Sequence, residues 1–234
     1  MVGGSVYWEV DMVKGASGDH QPAMVGSAHQ GAPVRDAVIA GHTGDLEAGM
    51  RLLGDDDPDV RAAALGALDR MGALESAELA RAMTDPGTAV RRRACVLAGR
   101  RFGAGDVGAG MVDTLTEVVS SDAEPSVVES AAWGLGEAGP GCGRATVTAL
   151  ELVARSHVDP LCREAAVAAL GAVGDPAGLD TVLAALEDKP AVRRRATIAL
   201  AAFDDPRVDV ALRRCLEDRD WQVRQAAEDL LGRL

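Results

Sequence analysis

Four histidines, four cysteines and one glycine-rich stretch are the places in these 234 residues where chemistry could be seated. Their spacing argues against each. His20, His29, His42 and His157 stand alone. None adjoins a glutamate, and no two share the i, i+4 spacing that puts a pair of imidazoles on one helix face around a metal. Cys95, Cys142, Cys162 and Cys215 lie 47, 20 and 53 positions apart, with no C-x-x-C pair, and read as reduced packing residues. The stretch from Gly103 to Gly110 has the glycine content of a phosphate loop but joins one helical pattern to another with no strand before it, so an inter-repeat linker is expected. There is no G-x-S-x-G, no H-E-x-x-H and no G-x-x-x-x-G-K-[ST]. No catalytic residue, metal ligand or cofactor is therefore assigned.

Arginines offer a different chemistry, that of nucleic-acid contact. Arg91-Arg92-Arg93 and Arg193-Arg194-Arg195 are the strongest local positive charge. A formal net charge of −12 opposes this reading, because phosphate binding needs a basic footprint. No apolar run nears the roughly 20 residues that cross a bilayer, and the N-terminus lacks a basic-then-apolar leader, so a cytoplasmic protein is expected.

The elements that position these side chains repeat. Segments containing Val-Arg or its equivalent recur six times, anchored at Val60, Val90, Val127, Cys162, Val192 and Val223, at intervals of 30, 37, 35, 30 and 31. Each unit reads as helix, turn, helix. The second helix is opened at Asp57-Pro58, Asp85-Pro86, Glu124-Pro125, Asp159-Pro160 or Lys189-Pro190, where a cap and a first-turn proline belong. First helices are expected near 44–53, 73–83, 107–120, 143–156, 176–187 and 206–217, and second helices near 58–70, 88–101, 125–138, 160–173, 190–202 and 221–233. Residues 33–40 form a further second-helix pattern, an N-terminal cap. Residues 1–31 lack helical period and are expected to be a flexible tail in which Tyr7 and Trp8 could dock onto the rest.

This wording resembles the HEAT repeats, in particular the PBS-lyase HEAT-like variety, through Ala165-Ala166-Val167-Ala168-Ala169-Leu170-Gly171 with Gly174-Asp175-Pro176, and through Ala131-Ala132-Trp133-Gly134-Leu135-Gly136. The resemblance implies an all-α, armadillo-like α-solenoid, a superhelix of about six helix pairs over 32–234. It says little of function, since the family includes bilin-lyase subunits, di-iron hydroxylases and binding scaffolds.

Helical geometry separates core from surface. Positions +0, +4, +7 and +8 from each anchor share a stripe that faces the core; +2, +6 and +9 face away, onto the concave surface if second helices line the inner curve. The partner-binding candidates are Arg92, Val96, Glu129, Trp133, Glu164, Ala168, Arg194 and Ile198, with Gly99, Gly136 and Gly171 beyond them. Trp133 is either the centre of that surface or a side chain tucked between repeats. The arginine after each anchor, at Arg61, Arg91, Arg163, Arg193 and Arg224, reads as a structural ladder onto turn aspartates; Val128 interrupts it. Three function classes follow: a non-enzymatic scaffold binding a helix or extended segment of another protein, which the residues favour; a bilin-lyase-like or hydroxylase-like subunit; and a nucleic-acid binder using the arginine clusters. A monomer that engages no membrane is expected.

Overall fold

The computed structural model describes residues 31–105 and 110–232, with side chains from Val34 onward. Every regular element among them is helical: α1 (Gly31–Thr43), α2 (Leu46–Leu52), α3 (Pro58–Arg70), α4 (Ser76–Ala82), α5 (Thr88–Ala104), α6 (Met111–Ser121), α7 (Pro125–Ala138), α8 (Arg144–Ser156), α9 (Pro160–Val173), α10 (Leu179–Ala185), α11 (Pro190–Ala199), α12 (Pro206–Cys215) and α13 (Trp221–Leu231). The fold is all-α, of the repeat-solenoid kind. Apart from Gly31, the expected tail lies outside the described residues, and so does half of the Gly103–Gly110 linker, residues 106–109. Gly103 itself belongs to α5, which runs three residues past its expected end and stops where Gly105 takes φ 73°.

The boundaries follow from local chemistry. Asp57, Asp159 and Asp220 accept the backbone N–H two residues on, at 2.8–2.9 Å, and so cap α3, α9 and α13. Proline fills the first turn of α3, α7, α9, α11 and α12, where its missing N–H costs nothing.

Two compact units divide between Leu74 and Glu75. In the first, α1 and α2 pack on α3 and on each other, with Ala37, Leu52, Val60 and Ala64 in contact at its centre. In the second, helices alternate between two layers. α5, α7, α9, α11 and α13 stack side by side, while α6, α8 and α10 stack behind them. The inward stripe is fully buried in α9 (Cys162, Ala166, Ala169, Leu170) and buried in α11 (Val192, Ala196, Ala199, Leu200).

Side-by-side stacking requires small residues at the seams. A Cβ on Gly171 would lie 2.9 Å from the Ala199 Cα, and one on Gly136 would lie 3.3 Å from the Ala169 Cα. One on Gly99 would run into the Trp133 indole at Cζ3. These three glycines, expected on the free surface, instead set how closely neighbouring second helices approach.

Candidate partner-binding surface

The arginine that follows the anchor has a repeated geometry. Arg91 gives Nε and Nη2 to the Asp122 carboxylate at 2.7 and 3.1 Å. Arg163 makes the same fork with Asp188, both contacts at 2.7 Å, and Arg193 with Asp218 at 2.9 and 2.7 Å. The third nitrogen, Nη1, is donated to carbonyls of the turn before the arginine's own helix: Asp85, His157 and Asp188 respectively. Each guanidinium thus ties its own turn to the turn of the following repeat, and the fork makes the contact directional. Arg61 and Arg224 also bond preceding turn carbonyls, at Asp55 and Asp218. The aspartates are engaged twice, since Asp122 and Asp218 also accept the N–H of Glu124 and Asp220. Arg163 and Arg193 hold the Asp188 and Asp218 carboxyls below the usual carboxylate range.

At one junction both members differ. Val128 is buried where the arginine would stand, and His157 occupies the turn position of the aspartate, its Nδ1 accepting the Asp159 N–H at 3.1 Å.

Away from the first-helix layer, α5, α7, α9 and α11 present a strip bearing the candidate residues. Arg92 and Ile198 are exposed, Ile198 by 44%, while Val96, Glu129, Trp133, Glu164 and Arg194 are half-buried. Ala168 corrects the sequence reading: it is 3% exposed, because α9 is flanked by second helices on both sides and its free arc is narrower than one helix's periodicity implies. It forms a floor rather than a contact point. Trp133 is partly a packing residue, its ring lying over Gly99. Sequence reasoning missed Leu161, exposed by 55% at the start of α9; its i−1 position to the anchor puts it on the same strip as Glu164.

Electrostatics along the strip are mixed. Arg195 is buried and reaches back to Glu164 at 3.4 Å, with Arg194 at 4.0 Å from the same carboxylate. With Arg193 in its fork, the second tri-arginine run is engaged internally rather than spread as a basic patch. Glu129 differs from Glu164. Burial raises its carboxyl above the ordinary range; Arg92 opposes the rise, and Asp159 and Glu164 add to it.

Other groups are spoken for. Burial pushes the Cys95 and Cys162 thiols up to about 12, well away from nucleophilic character. Among the described residues no three His, Cys, Asp or Glu side chains could share a metal ion, and no helix is long and apolar enough to cross a membrane. Two open recesses of about 470 and 400 Å³ sit over the Arg193–Asp218 and Arg91–Asp122 forks.

Two stacked layers of short helix pairs, tied by recurring arginine–aspartate forks at all but one of the junctions described above, are the setting in which the comparisons with known proteins are informative. Residues 147–232 match the HEAT repeats family. The HEAT-matching segment covers most of α8 and runs to the end of α13; the PBS-lyase variety in particular is not distinguished by it. Among solved structures, an engineered protein is similar over 80% of this chain and 97% of its own, with 20% identity and a TM-score of 0.60. A designed armadillo repeat protein is similar over 79% and 97%, with 16% identity and a TM-score of 0.59. Another, in complex with the peptide (KR)4, is similar over 86% and 97%, with 14% identity and a TM-score of 0.57. At these identities the likeness concerns the fold. No curated protein matches the sequence.

Proposed function

We propose that this protein is a non-enzymatic interaction scaffold that takes a segment of a partner protein on the strip formed by α5, α7, α9 and α11, the concave side of the stack. The observation that carries the reading is the relief of that strip. Half-buried Trp133 on α7 and exposed Ile198 on α11 rise on either side of α9, whose Ala168 is 3% exposed and whose neighbouring position is Gly171. Two apolar ridges around a small-residue floor make a slot for a side chain, and aromatic ridges of this kind carry much of the energy of protein interfaces. The likeness to a designed repeat protein in complex with a peptide supports the same reading at the level of fold.

The test is affinity purification of the tagged full chain from its native extract, beside Ile198→Glu and, as a control on the first-helix layer, Leu152→Glu. A partner retained by the control and lost from Ile198→Glu supports the proposal. Equal retention by both overturns it, and a coloured or metal-loaded eluate without a protein partner points to the subunit class instead.

A further inference from the structure

Glu129 and Trp133 are four residues apart on α7 and therefore share a face, the carboxylate one turn before the ring. Glu164, the corresponding residue of the next repeat, already has Arg195 and Arg194 against it. The Glu129 carboxylate has no hydrogen bond or ion pair among the described residues; Arg92 acts on it only through space, against the repulsion of Asp159 and Glu164. A half-buried carboxylate in that state has lost part of its hydration without a compensating contact, a deficit that an arriving cation would remove. Trp133 beside it offers an aromatic surface, and Ile198 across the Ala168–Gly171 floor offers an apolar one.

We propose that the segment bound on this strip is cationic: a lysine or arginine of the partner lays its stem along Trp133 and sets its charge on Glu129, while a neighbouring apolar side chain enters the slot toward Ile198. This rests on the strip being the docking surface. The chemistry is charge complementarity with an aromatic wall, in which the alkyl part of the side chain is buried and the cation meets both the carboxylate and the ring. An acidic segment would instead bring its charge onto Glu129 and Glu164 and would leave Trp133 without a cation.

The experiment uses the full chain and three labelled peptides of equal length, alternating Lys-Ala, Ser-Ala and Glu-Ala, with binding read by fluorescence anisotropy at about 0.15 M salt, where long-range attraction is screened. The Lys-Ala peptide is expected to bind the wild type. Glu129→Gln, which keeps shape and removes only charge, should weaken it by about tenfold, the scale of one charge-assisted contact. Glu117→Gln on the exposed side of α6 carries the same charge change and should leave binding unaltered. Equal weakening by the two variants would reduce the effect to net charge and overturn the assignment. Tighter binding of Glu-Ala, binding of a single-stranded oligonucleotide in place of Lys-Ala, or no binding of Lys-Ala would overturn it as well. None of these results bears on partner capture by Ile198→Glu, so the scaffold reading stands or falls separately.

Discussion

The imidazole Nδ1 of His157 accepts the backbone N–H of Asp159 at 3.1 Å, the role that the Asp122 carboxylate plays for Glu124 one repeat earlier at 2.9 Å. The turn is thereby kept while the charge is gone. The arginine that would have met that charge is gone too, replaced by Val128, 2% exposed. Exchanging both halves of a pair avoids the penalty of exchanging one, which would leave a guanidinium or a carboxylate without its partner.

This relationship predicts strong coupling between the two positions. Val128→Arg alone should destabilise the protein, and His157→Asp alone should change it little or for the worse. The double variant should be more stable than the two single effects predict, by about 0.5–3 kcal/mol in a urea double-mutant cycle. Additive effects would show that the two positions do not meet as the other rungs do.

The intact forks make stability sensitive to acid in a defined direction. Asp188 and Asp218 have folded pKa values depressed below the unfolded ones by Arg163 and Arg193, so the unfolded chain binds protons first as pH falls. Their contribution is complete above the ordinary carboxylate pKa of about 3.9 and is lost as pH drops through that value toward the folded one. Arg193→Met should cost about 3 kcal/mol at neutral pH, and its melting temperature should fall less steeply between neutral pH and about pH 3 than that of the wild type.

Glycine substitutions should separate seam from surface. Gly171→Ala places a methyl 2.7 Å from the Ala199 Cβ and 2.9 Å from its Cα, a clash with backbone that should cost about 1–3 kcal/mol despite the helix propensity gained. Among the described residues Gly103→Ala meets only the Glu137 Oε2, at 3.4 Å, and should be neutral or stabilising by up to about 1 kcal/mol. Thermal melts of the two single variants check the contrast.

Trp133 and Gly99 should behave as one unit. Gly99→Ala is expected to destabilise the wild type, since its methyl would meet the indole, and to be tolerated in a Trp133→Ala background. Trp133→Ala should itself lower the melting temperature, because it uncovers the seam, so binding studies at this residue need the Glu129→Gln comparison.

The architecture was legible from the sequence because its determinants are local. A proline or capping aspartate opens α3, α7, α9, α11 and α13 within a turn of where it was placed, α5 alone starting from Gly87 after the Asp85-Pro86 turn, and the stripe through Cys162, Ala166, Ala169 and Leu170 needs only the period of one helix to be recognised. The surface was legible only in part, because it depends on what stands to either side. Ala168, Gly136 and Gly171 point away from the first-helix layer, as periodicity says, yet are taken up by the neighbouring second helix. Likewise the arginine triplet at Arg193 looks like a cationic patch until the separate destinations of Arg193 on Asp218 and Arg195 on Glu164 are known. Neither destination lies within its own repeat.

Each fork points the same way along the chain, from the arginine of one repeat to an aspartate about 25–31 residues later. During synthesis, therefore, each of these guanidinia leaves the ribosome before the carboxylate that will hold it has been made. A nascent helix pair completes its ties only when the next pair has left the ribosome, except at Val128 and His157, where the chain passes from one half of the ladder to the other without waiting for a charge to be matched.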